Sequence, residues 1–368
     1  MKHYYLFILT LLILGCRPNK TEEFDRISIN KNELEAISID KIFADYKFIS
    51  LEDTNSSLVG VPRKIVYKNN VIFVSDGRCL FQFTTDGKHL RTLDRRGGGP
   101  HEYAGIWDFT VSDQEILIWD QNSRKIIRYS LENTYINSKS LDHFAASIYF
   151  IDRDKILFSS SYQGDDEYKF IVRNLETMDI IASFYPINKA YTTYRHIMNQ
   201  DNFYVYKNTL LFHEFMNNYI YEINNYEFKP VCYIDLYGQN PPEKFLGEEY
   251  EHIGDILEIA KNNGYRYGFP VYAESENQVI FSFDGNTSLL CSYLKSTKES
   301  IQSEKLILFP GVPAIDVSRI RFNTDSEEAF LLAIESEAFY EDNDMPYAKE
   351  LSYIPNNGNP VICIAKLK

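Results

Sequence analysis

The chain consists of short apolar runs separated by polar turns, a pattern typical of β-strands. Four such runs follow one another over residues 63–93, and the same order recurs over residues 106–141. Asp76 and Asp120 end equivalent second runs and lie 44 positions apart. Four short strands at this period indicate the blade of a β-propeller.

Weaker copies of the unit continue to the end of the chain, over residues 147–184, 203–236, 269–309 and 315–366. An early strand at residues 46–51 has no local partners, so we expect it to complete the last blade and remove a free edge. The pattern predicts one all-β domain, a six-bladed β-propeller over residues 37–368. Five or seven blades stay open, because the later copies are degenerate.

One segment interrupts the strands. Between Pro242 and Lys261, apolar residues recur at helical spacing, acids cluster early, and an Asn-Gly pair follows. We predict one amphipathic helix around residues 243–262, inserted between the fourth and fifth units. Insertions of this kind often decorate the binding face of a repeat fold.

An apolar run near the start of the chain precedes a cysteine. Residues 6–14 are too short to cross a bilayer as a permanent helix and have the layout of a signal-peptide core. The sequence Ile13-Leu14-Gly15-Cys16 resembles a lipobox, in which the cysteine is lipidated; an ordinary secretory signal with a chance cysteine is the alternative. We predict a lipoprotein signal peptide over residues 1–15, a lipidated tether over 16–36, and anchoring in the outer membrane, facing the periplasm or the cell surface.

Composition restricts the partners. The 368 residues are 44% hydrophobic, enough for a large core, and the net charge of −14 argues against nucleic acid or an anionic membrane surface. Apart from Cys16, four scattered cysteines lie in strand-like runs without CxxC spacing. We expect buried free thiols, rather than disulfides or a metal site, at Cys79, Cys232, Cys291 and Cys363.

A glycine-rich connector separates the first two units and reads Arg95-Arg96-Gly97-Gly98-Gly99-Pro100-His101-Glu102-Tyr103. Glycine reaches positive φ and proline fixes φ near −65°, so this run continues neither a strand nor a helix. It also lacks the Lys-Ser/Thr ending and the following helix of a phosphate-binding loop. Two interpretations stay open: a turn held by a pair between Arg96 and Glu102, or a binding feature with ligand contacts from Arg96 and His101.

The connector, the lipobox and the blade layout together resemble the six-bladed β-propeller lipoproteins of anaerobic Gram-negative bacteria, which are related to NHL and TolB-like propellers. That family carries Gly-x-Gly-Pro-x-Glu-Phe/Tyr after a blade whose turn reads Asp-Gly-Lys. The matching positions here are Gly97, Gly99, Pro100, Glu102 and Tyr103, preceded by Asp86-Gly87-Lys88. The resemblance implies a binding or scaffolding role in the cell envelope and no established reaction.

Connectors that lead from one blade to the next share a face with the mouth of the central channel, and four of them, at residues 95–105, 191–196, 242–268 and 310–315, are polar and aromatic. Guanidinium groups bind oxyanions bidentately, and aromatic rings stack on the apolar faces of sugars. We therefore predict a binding site on this face from Arg95, Arg96, His101, Glu102, Tyr103, Arg195, His196, Arg266 and Tyr267.

Two functions remain open from the sequence. The first is a non-catalytic lipoprotein, held at the membrane by its N-terminal lipid, whose ring face binds a carbohydrate, a peptide or an envelope protein. The second is a metal-dependent hydrolase or lyase acting in the central channel. The sequence has no HxH or HExxH spacing, no Gly-x-Ser-x-Gly elbow and no dinucleotide fingerprint. We accordingly assign no catalytic residue, no metal ligand and no cofactor, and favour the first function.

Overall fold

A computed structural model describes residues 24–31, 33–160, 166–189, 203–248, 250–268, 271–323, 329–341 and 345–368. The predicted signal peptide, Cys16, Arg195 and His196 lie outside these ranges. Within them, no helix has both the length and the apolar character needed to cross a membrane.

The chain begins with elements that lie apart from the repeated units. They are β1 (Asp25–Ser28), β2 (Ile37–Ser38), the one-turn helix α1 (Ile39–Ile42) and β3 (Phe43–Ser50).

Four blades then follow in chain order, each built on an antiparallel sheet of four consecutive strands. The first strands of blades 1, 2 and 3 contact one another in turn, which places them on the inside of the ring. Blade 1 contains β4 (Lys64–Lys68), β5 (Val71–Ser75), β6 (Leu80–Thr84) and β7 (His89–Leu93). Blade 2 contains β8 (Asp108–Val111), β9 (Glu115–Asp120), β10 (Lys125–Ser130) and β11 (Tyr135–Ser140). Blade 3 contains β12 (Ser147–Asp152), β13 (Lys155–Ser159), β14 (Tyr168–Asn174) and β15 (Ile180–Pro186). Blade 4 contains β16 (Phe203–Tyr206), β17 (Thr209–His213), β18 (Tyr219–Asn224) and β19 (Glu227–Asp235).

Two short helices, α2 (Glu243–Leu246) and α3 (Ile253–Asn262), precede the last three blades. Blade 5 contains β20 (Tyr272–Glu274), β21 (Gln278–Phe283), β22 (Leu289–Leu294) and β23 (Glu299–Ser303). Blade 6 is a three-stranded sheet of β24 (Lys305–Ile307), β25 (Ile315–Asp316) and β2. Blade 7 contains β26 (Arg321–Asn323), β27 (Phe330–Ile334), β28 (Val361–Leu367) and β3.

The predicted count of six blades is therefore wrong, since the propeller has seven. The missed blade is the small one formed by β24, β25 and β2. Two of its strands have three and two residues, too few to show an alternating pattern. Its third strand comes from the distant N-terminal segment, so no local repeat of four strands marks it.

The N-terminal segment crosses the outer edges of four successive blades, and we call it the strap (residues 25–31 and 33–50). β1 pairs in parallel with β19, so that blade 4 has five strands. Leu34 donates its N–H to the carbonyl oxygen of Gln302 in blade 5 at 2.8 Å. β2 pairs in parallel with β24, and β3 pairs with β28 as the outer strand of blade 7. The strap thus covers edges that would otherwise expose unpaired backbone groups.

Apolar side chains pack between neighbouring blades and form the core. Between blades 2 and 3, for example, the fully buried Trp119 lies in one cluster with Phe158. The four cysteines at positions 79, 232, 291 and 363 are buried free thiols, as predicted. Burial raises the pKa of Cys79 to about 11 and that of Cys232 to about 12, so both thiols stay protonated at neutral pH.

A buried ion pair joins the inner strands of three blades. Lys64 Nζ in blade 1 donates to Asp108 Oδ1 in blade 2 at 2.8 Å, and both side chains are almost fully buried. Asp108 also accepts the backbone N–H of Phe109 and that of Ile148 in blade 3, each at 2.8 Å. Burial raises the pKa of Asp108, while the charge of Lys64 opposes that shift. The Asp108 carboxylate therefore links the inner strands of blades 1, 2 and 3 through its ion pair and hydrogen bonds.

The single helix predicted around residues 243–262 is divided into two. Gly247 ends α2, and His252 caps α3, where its ring Nδ1 accepts the N–H of Asp255 at 3.3 Å. The buried face of α3 presents Ile256 and Ala260 to the connector between blades 4 and 5. The capping residue sets the start of α3 at Ile253, ten residues after the start that the apolar spacing alone predicts.

Candidate functional site

The glycine connector between blades 1 and 2 is a turn held by hydrogen bonds between its own side chains and the backbone. Glu102 Oε2 accepts the N–H of Gly99 at 2.8 Å, and a Cβ atom at Gly97 would overlap the same carboxylate. Tyr103 is fully buried and donates its hydroxyl to the carbonyl oxygen of Leu93 at 2.8 Å. Burial raises the pKa of Tyr103, which keeps this donor protonated. Glu102 and Tyr103 therefore hold the connector in place.

A pair between Arg96 and Glu102, one of the two interpretations that the sequence left open, does not form. Arg96 instead makes a bidentate ion pair with Asp94, from Nε to Oδ1 at 2.8 Å and from Nη2 to Oδ2 at 2.9 Å. The hydrogen bonds from Arg96 lower the pKa of Asp94, and the Asp94 carboxylate raises that of Arg96. Asp94 directly follows β7 and lies two residues from Arg96, a spacing that matches the bidentate geometry.

Two polar side chains of this connector lie on the surface in addition to Arg96. Arg95 is exposed, and the exposed His101 ring stacks on Tyr135 with 4.0 Å between ring centroids. The carbonyl oxygen of His101 accepts the hydroxyl of Tyr129 at 2.8 Å, which fixes the backbone beneath the stacked ring. Ligand binding by Arg95 and His101 stays a prediction.

The connector between blades 4 and 5 carries the other described residues of the predicted site. Tyr267 is buried and forms a backbone bridge with Asp284 in both directions, at 3.0 and 2.8 Å. The side chain of Arg266 lies against Gly285 and the ring of Phe283. Arg266 and the glycine connector belong to connectors three blades apart. Among the described residues, no hydrogen bond, ion pair or ring contact joins Arg266 to the glycine connector, and their convergence on one ligand stays a prediction.

A cleft of about 620 Å³ opens on the face that carries these connectors. It lies between the connectors and strands of blades 5, 7 and 1. Its polar lining includes Ser282, Asp284 and Ser288 on blade 5 and Arg319, Arg321 and Glu335 on blade 7. Apolar walls are formed by Val61, Pro62, Val271, Val317, Ile320, Phe322, Ile334 and Pro360. We call this the ring-face cleft.

The rim of the ring-face cleft carries charge that ligands can reach. Arg319 Nη2 lies 3.5 Å from Glu335 Oε2, and both side chains are more than half exposed. An exposed pair at this distance is weak, so either group can exchange its partner for a ligand. Arg321 donates from Nη1 to the carbonyl oxygen of Arg63 at 3.0 Å, which leaves the rest of its guanidinium available for other acceptors.

Inside the cleft, Asp284 supplies a carboxyl group of a different kind. Burial raises its pKa, while the hydroxyl of Ser288, which donates to Asp284 Oδ1 at 2.6 Å, opposes that shift. A half-buried carboxyl with a raised pKa takes up a proton more readily, and a protonated carboxyl donates as well as accepts. Cations at the rim and a carboxyl inside suit a ligand with both acidic groups and hydroxyls.

Within the described ranges, no group of three or more His, Cys, Asp and Glu side chains is placed to hold a metal ion. The buried His213 belongs to blade 4, and burial lowers its pKa to about 3, so it is neutral at physiological pH.

Sequence reasoning missed the residues that line the ring-face cleft. The signal was present in Arg319-Ile320-Arg321, where two cations on either side of one apolar residue lie at the start of a blade. It was also present in Asp284, which directly follows the second strand of its blade as Asp76 follows β5. Asp76 and Asp120 instead cap turns, since each accepts two backbone N–H groups through its Oδ1.

Comparison with known proteins gives a family and a fold. The family model described as Domain of unknown function (DUF4934) matches residues 24–366. A candidate exported protein from Bacteroides fragilis has a similar structure, with a TM-score of 0.73 at 16% identity, covering 93% of this chain and 99% of that one. A member of the DUF4221 family from Bacteroides vulgatus has a TM-score of 0.50 at 10% identity, covering 89% of this chain and 97% of that one. A search of curated proteins gives no match. At these identities the structural likeness concerns the fold alone.

Proposed function

The chain belongs to the DUF4934 family, and we propose that this β-propeller is a non-catalytic binding protein of the cell envelope whose ring-face cleft holds an acidic carbohydrate. The ring-face cleft is the observation that carries this proposal. It combines two guanidinium groups at the rim, a carboxyl inside, and apolar walls within a single opening of about 620 Å³. That volume falls in the usual range for small-ligand sites.

The choice of an acidic carbohydrate follows from the chemistry of the lining. Arg319 and Arg321 offer forked donors to carboxylates or sulfates of the ligand. Asp284 and Ser288 offer acceptors and donors to hydroxyls. Pro62 and Phe322 supply apolar surface for the C–H faces of sugar rings. A peptide would use the same arginines but needs backbone partners, which these side chains match less well.

Anchoring completes the proposal. The lipobox sequence ending at Cys16 supports a lipid on the mature N-terminus and a location at the outer membrane. Metabolic labelling with a fatty-acid analogue tests this directly. We expect label on the wild-type chain and none on Cys16→Ser, which should also lose its detergent-phase partitioning. Label that persists on Cys16→Ser would remove the anchoring part of the proposal.

Binding is tested with the purified mature protein on an array that displays acidic glycans, neutral glycans and acidic peptides. We expect acidic glycans to be retained, and the double variant Arg319→Ala/Arg321→Ala to lose roughly tenfold to a hundredfold in affinity, because two charge-assisted contacts are removed. Arg153→Ala is the matched control. Arg153 is exposed in the β12–β13 turn, on the opposite face of the ring, and the variant should bind like wild type. Retention of peptides alone, or unchanged binding by the double variant, would refute this function.

A further inference from the structure

Three polar atoms near the connector between blades 4 and 5 are buried without a hydrogen-bond partner among the residues that the structure describes. They are Nη1 of Arg266, the hydroxyl oxygen of Tyr237 and Oε1 of Gln239. Nearly all buried polar atoms in folded proteins have a partner, and each exception calls for a reason. The residues themselves are only half-buried, so these atoms lie just beneath the surface.

The three residues belong to one place. Arg266 donates its backbone N–H to the carbonyl oxygen of Gln239 at 2.8 Å. The guanidinium carbon of Arg266 lies 6.0 Å from the ring centroid of Phe283, and the Tyr237 ring lies 6.5 Å from the same centroid. Burial raises the pKa of Tyr237, and the charge of Arg266 acts in the opposite direction. The Arg266 guanidinium and the Tyr237 ring therefore both lie near Phe283, and the backbone of Gln239 is bonded to that of Arg266.

The backbone around this place is specialised. Tyr237 has a φ of +58°, a left-handed conformation that is unusual for a bulky side chain and that the surrounding structure must hold. On the other side, a Cβ atom at Gly285 would lie 2.7 Å from Nη1 of Arg266. Only glycine leaves the guanidinium room here. Both features fix the side chains that carry the unpartnered atoms.

We propose that Arg266, Tyr237 and Gln239 form a binding subsite for a carboxylate that carries a neighbouring hydroxyl, as in a hydroxy acid or an acidic sugar residue. Arg266 and the Tyr237 hydroxyl donate to the carboxylate, and Gln239 Oε1 accepts from the hydroxyl of the ligand. The subsite lies outside the ring-face cleft and does not rest on what the cleft binds.

One nearby charge opposes an anion. Glu33, in the strap, is exposed and close enough to contribute to the raised pKa of Tyr237. Its negative charge repels a bound carboxylate across a partly solvated distance. Removing that charge with Glu33→Gln should therefore tighten binding, a change of opposite sign to that of the other variants.

The experiment titrates glycolate, acetate and chloride into the full chain, followed by protein-observed NMR or by calorimetry. We expect glycolate to bind in the millimolar range, acetate to bind several-fold more weakly because it lacks the hydroxyl, and chloride not to compete. Arg266→Ala should weaken glycolate binding by about tenfold to a hundredfold, as expected for the loss of a hydrogen bond to a charged group. Tyr237→Phe removes only the hydroxyl and should weaken it several-fold.

A pair of glycine variants separates the subsite from general damage. Gly285→Ala displaces the guanidinium while leaving its charge in the chain, and should abolish glycolate binding. Gly98→Ala is the matched control, because its new Cβ would meet nothing within 4 Å. Equal binding of glycolate and acetate, unchanged binding by Arg266→Ala, or no glycolate binding at 50 mM would each overturn the proposal.

Discussion

The buried pair between Lys64 and Asp108 allows a quantitative test of how the ring is held together. Asp108→Ala leaves the Lys64 ammonium buried without its carboxylate, and leaves the N–H groups of Phe109 and Ile148 without an acceptor. Breaking one side of a buried ion pair typically costs about 3–5 kcal/mol. We expect a loss of about 4 kcal/mol in the free energy of unfolding. At an unfolding entropy of about 2.1 cal/mol/K per residue over roughly 330 residues, this corresponds to a fall of about 6 °C in Tm.

The assay is denaturant and thermal unfolding of the single variants and of Lys64→Met/Asp108→Leu. Because the double variant buries no charge, it should be less destabilised than Asp108→Ala alone. The control Asp113→Ala removes the exposed partner of Lys68, at 3.4 Å, and should change stability by less than about 1 kcal/mol. The pair does not join the blades as described if Asp108→Ala lowers the free energy of unfolding by less than about 1 kcal/mol. The same holds if the loss in the double variant equals the sum of the losses in its two single variants, Lys64→Met and Asp108→Leu.

Three further predictions concern the connector, the cleft and the strap. Gly97→Ala forces a Cβ into the carboxylate of Glu102 and should lower Tm by several degrees, whereas Gly98→Ala should leave it unchanged in the same thermal scan. Asp284 has a raised pKa in the folded chain, so its ionisation lowers the free energy of unfolding as pH rises above the unfolded pKa near 3.8. Asp284→Asn should therefore be more stable than wild type at pH 7 and equal to it near pH 3 in denaturant unfolding. The opposite order of stability with pH would show that burial does not raise this pKa. Ile27→Ala removes a buried side chain of the strap and should cost about 2–4 kcal/mol in denaturant unfolding, a result near zero showing that β1 adds nothing to blade 4.

Local pattern was enough to predict the β-propeller and its first two blades. Their second strands, β5 and β9, are buried along nearly their whole length, and turn residues such as Asp86-Gly87 separate the strands in sequence. Pattern was not enough for the blade count. Blade 6 takes β2 from the N-terminal segment and pairs it in parallel with β24, a long-range contact that no periodicity records.

The side-chain partners in the candidate site could likewise be predicted only in part from the sequence. The sequence identified Arg96 as a cation that needs a partner, yet the partner is Asp94 rather than Glu102. The Glu102 carboxylate instead accepts the backbone N–H of Gly99. The ring-face cleft joins residues from three blades, so only the ring geometry brings Asp284 and Arg319 to one opening. Arg266 was chosen for lacking a local explanation, and the structure gives its Nη1 no partner among the described residues.

The most direct test of the central claim is the charge preference of the ring-face cleft. The mature protein is titrated with an acidic oligosaccharide and with its neutral, carboxyl-reduced counterpart, and both titrations are repeated with Arg319→Ala/Arg321→Ala. We expect wild type to prefer the acidic form by about tenfold or more, and this preference to disappear in the double variant. Equal affinity of wild type for both forms, or a preference that survives the loss of both arginines, would contradict the central claim.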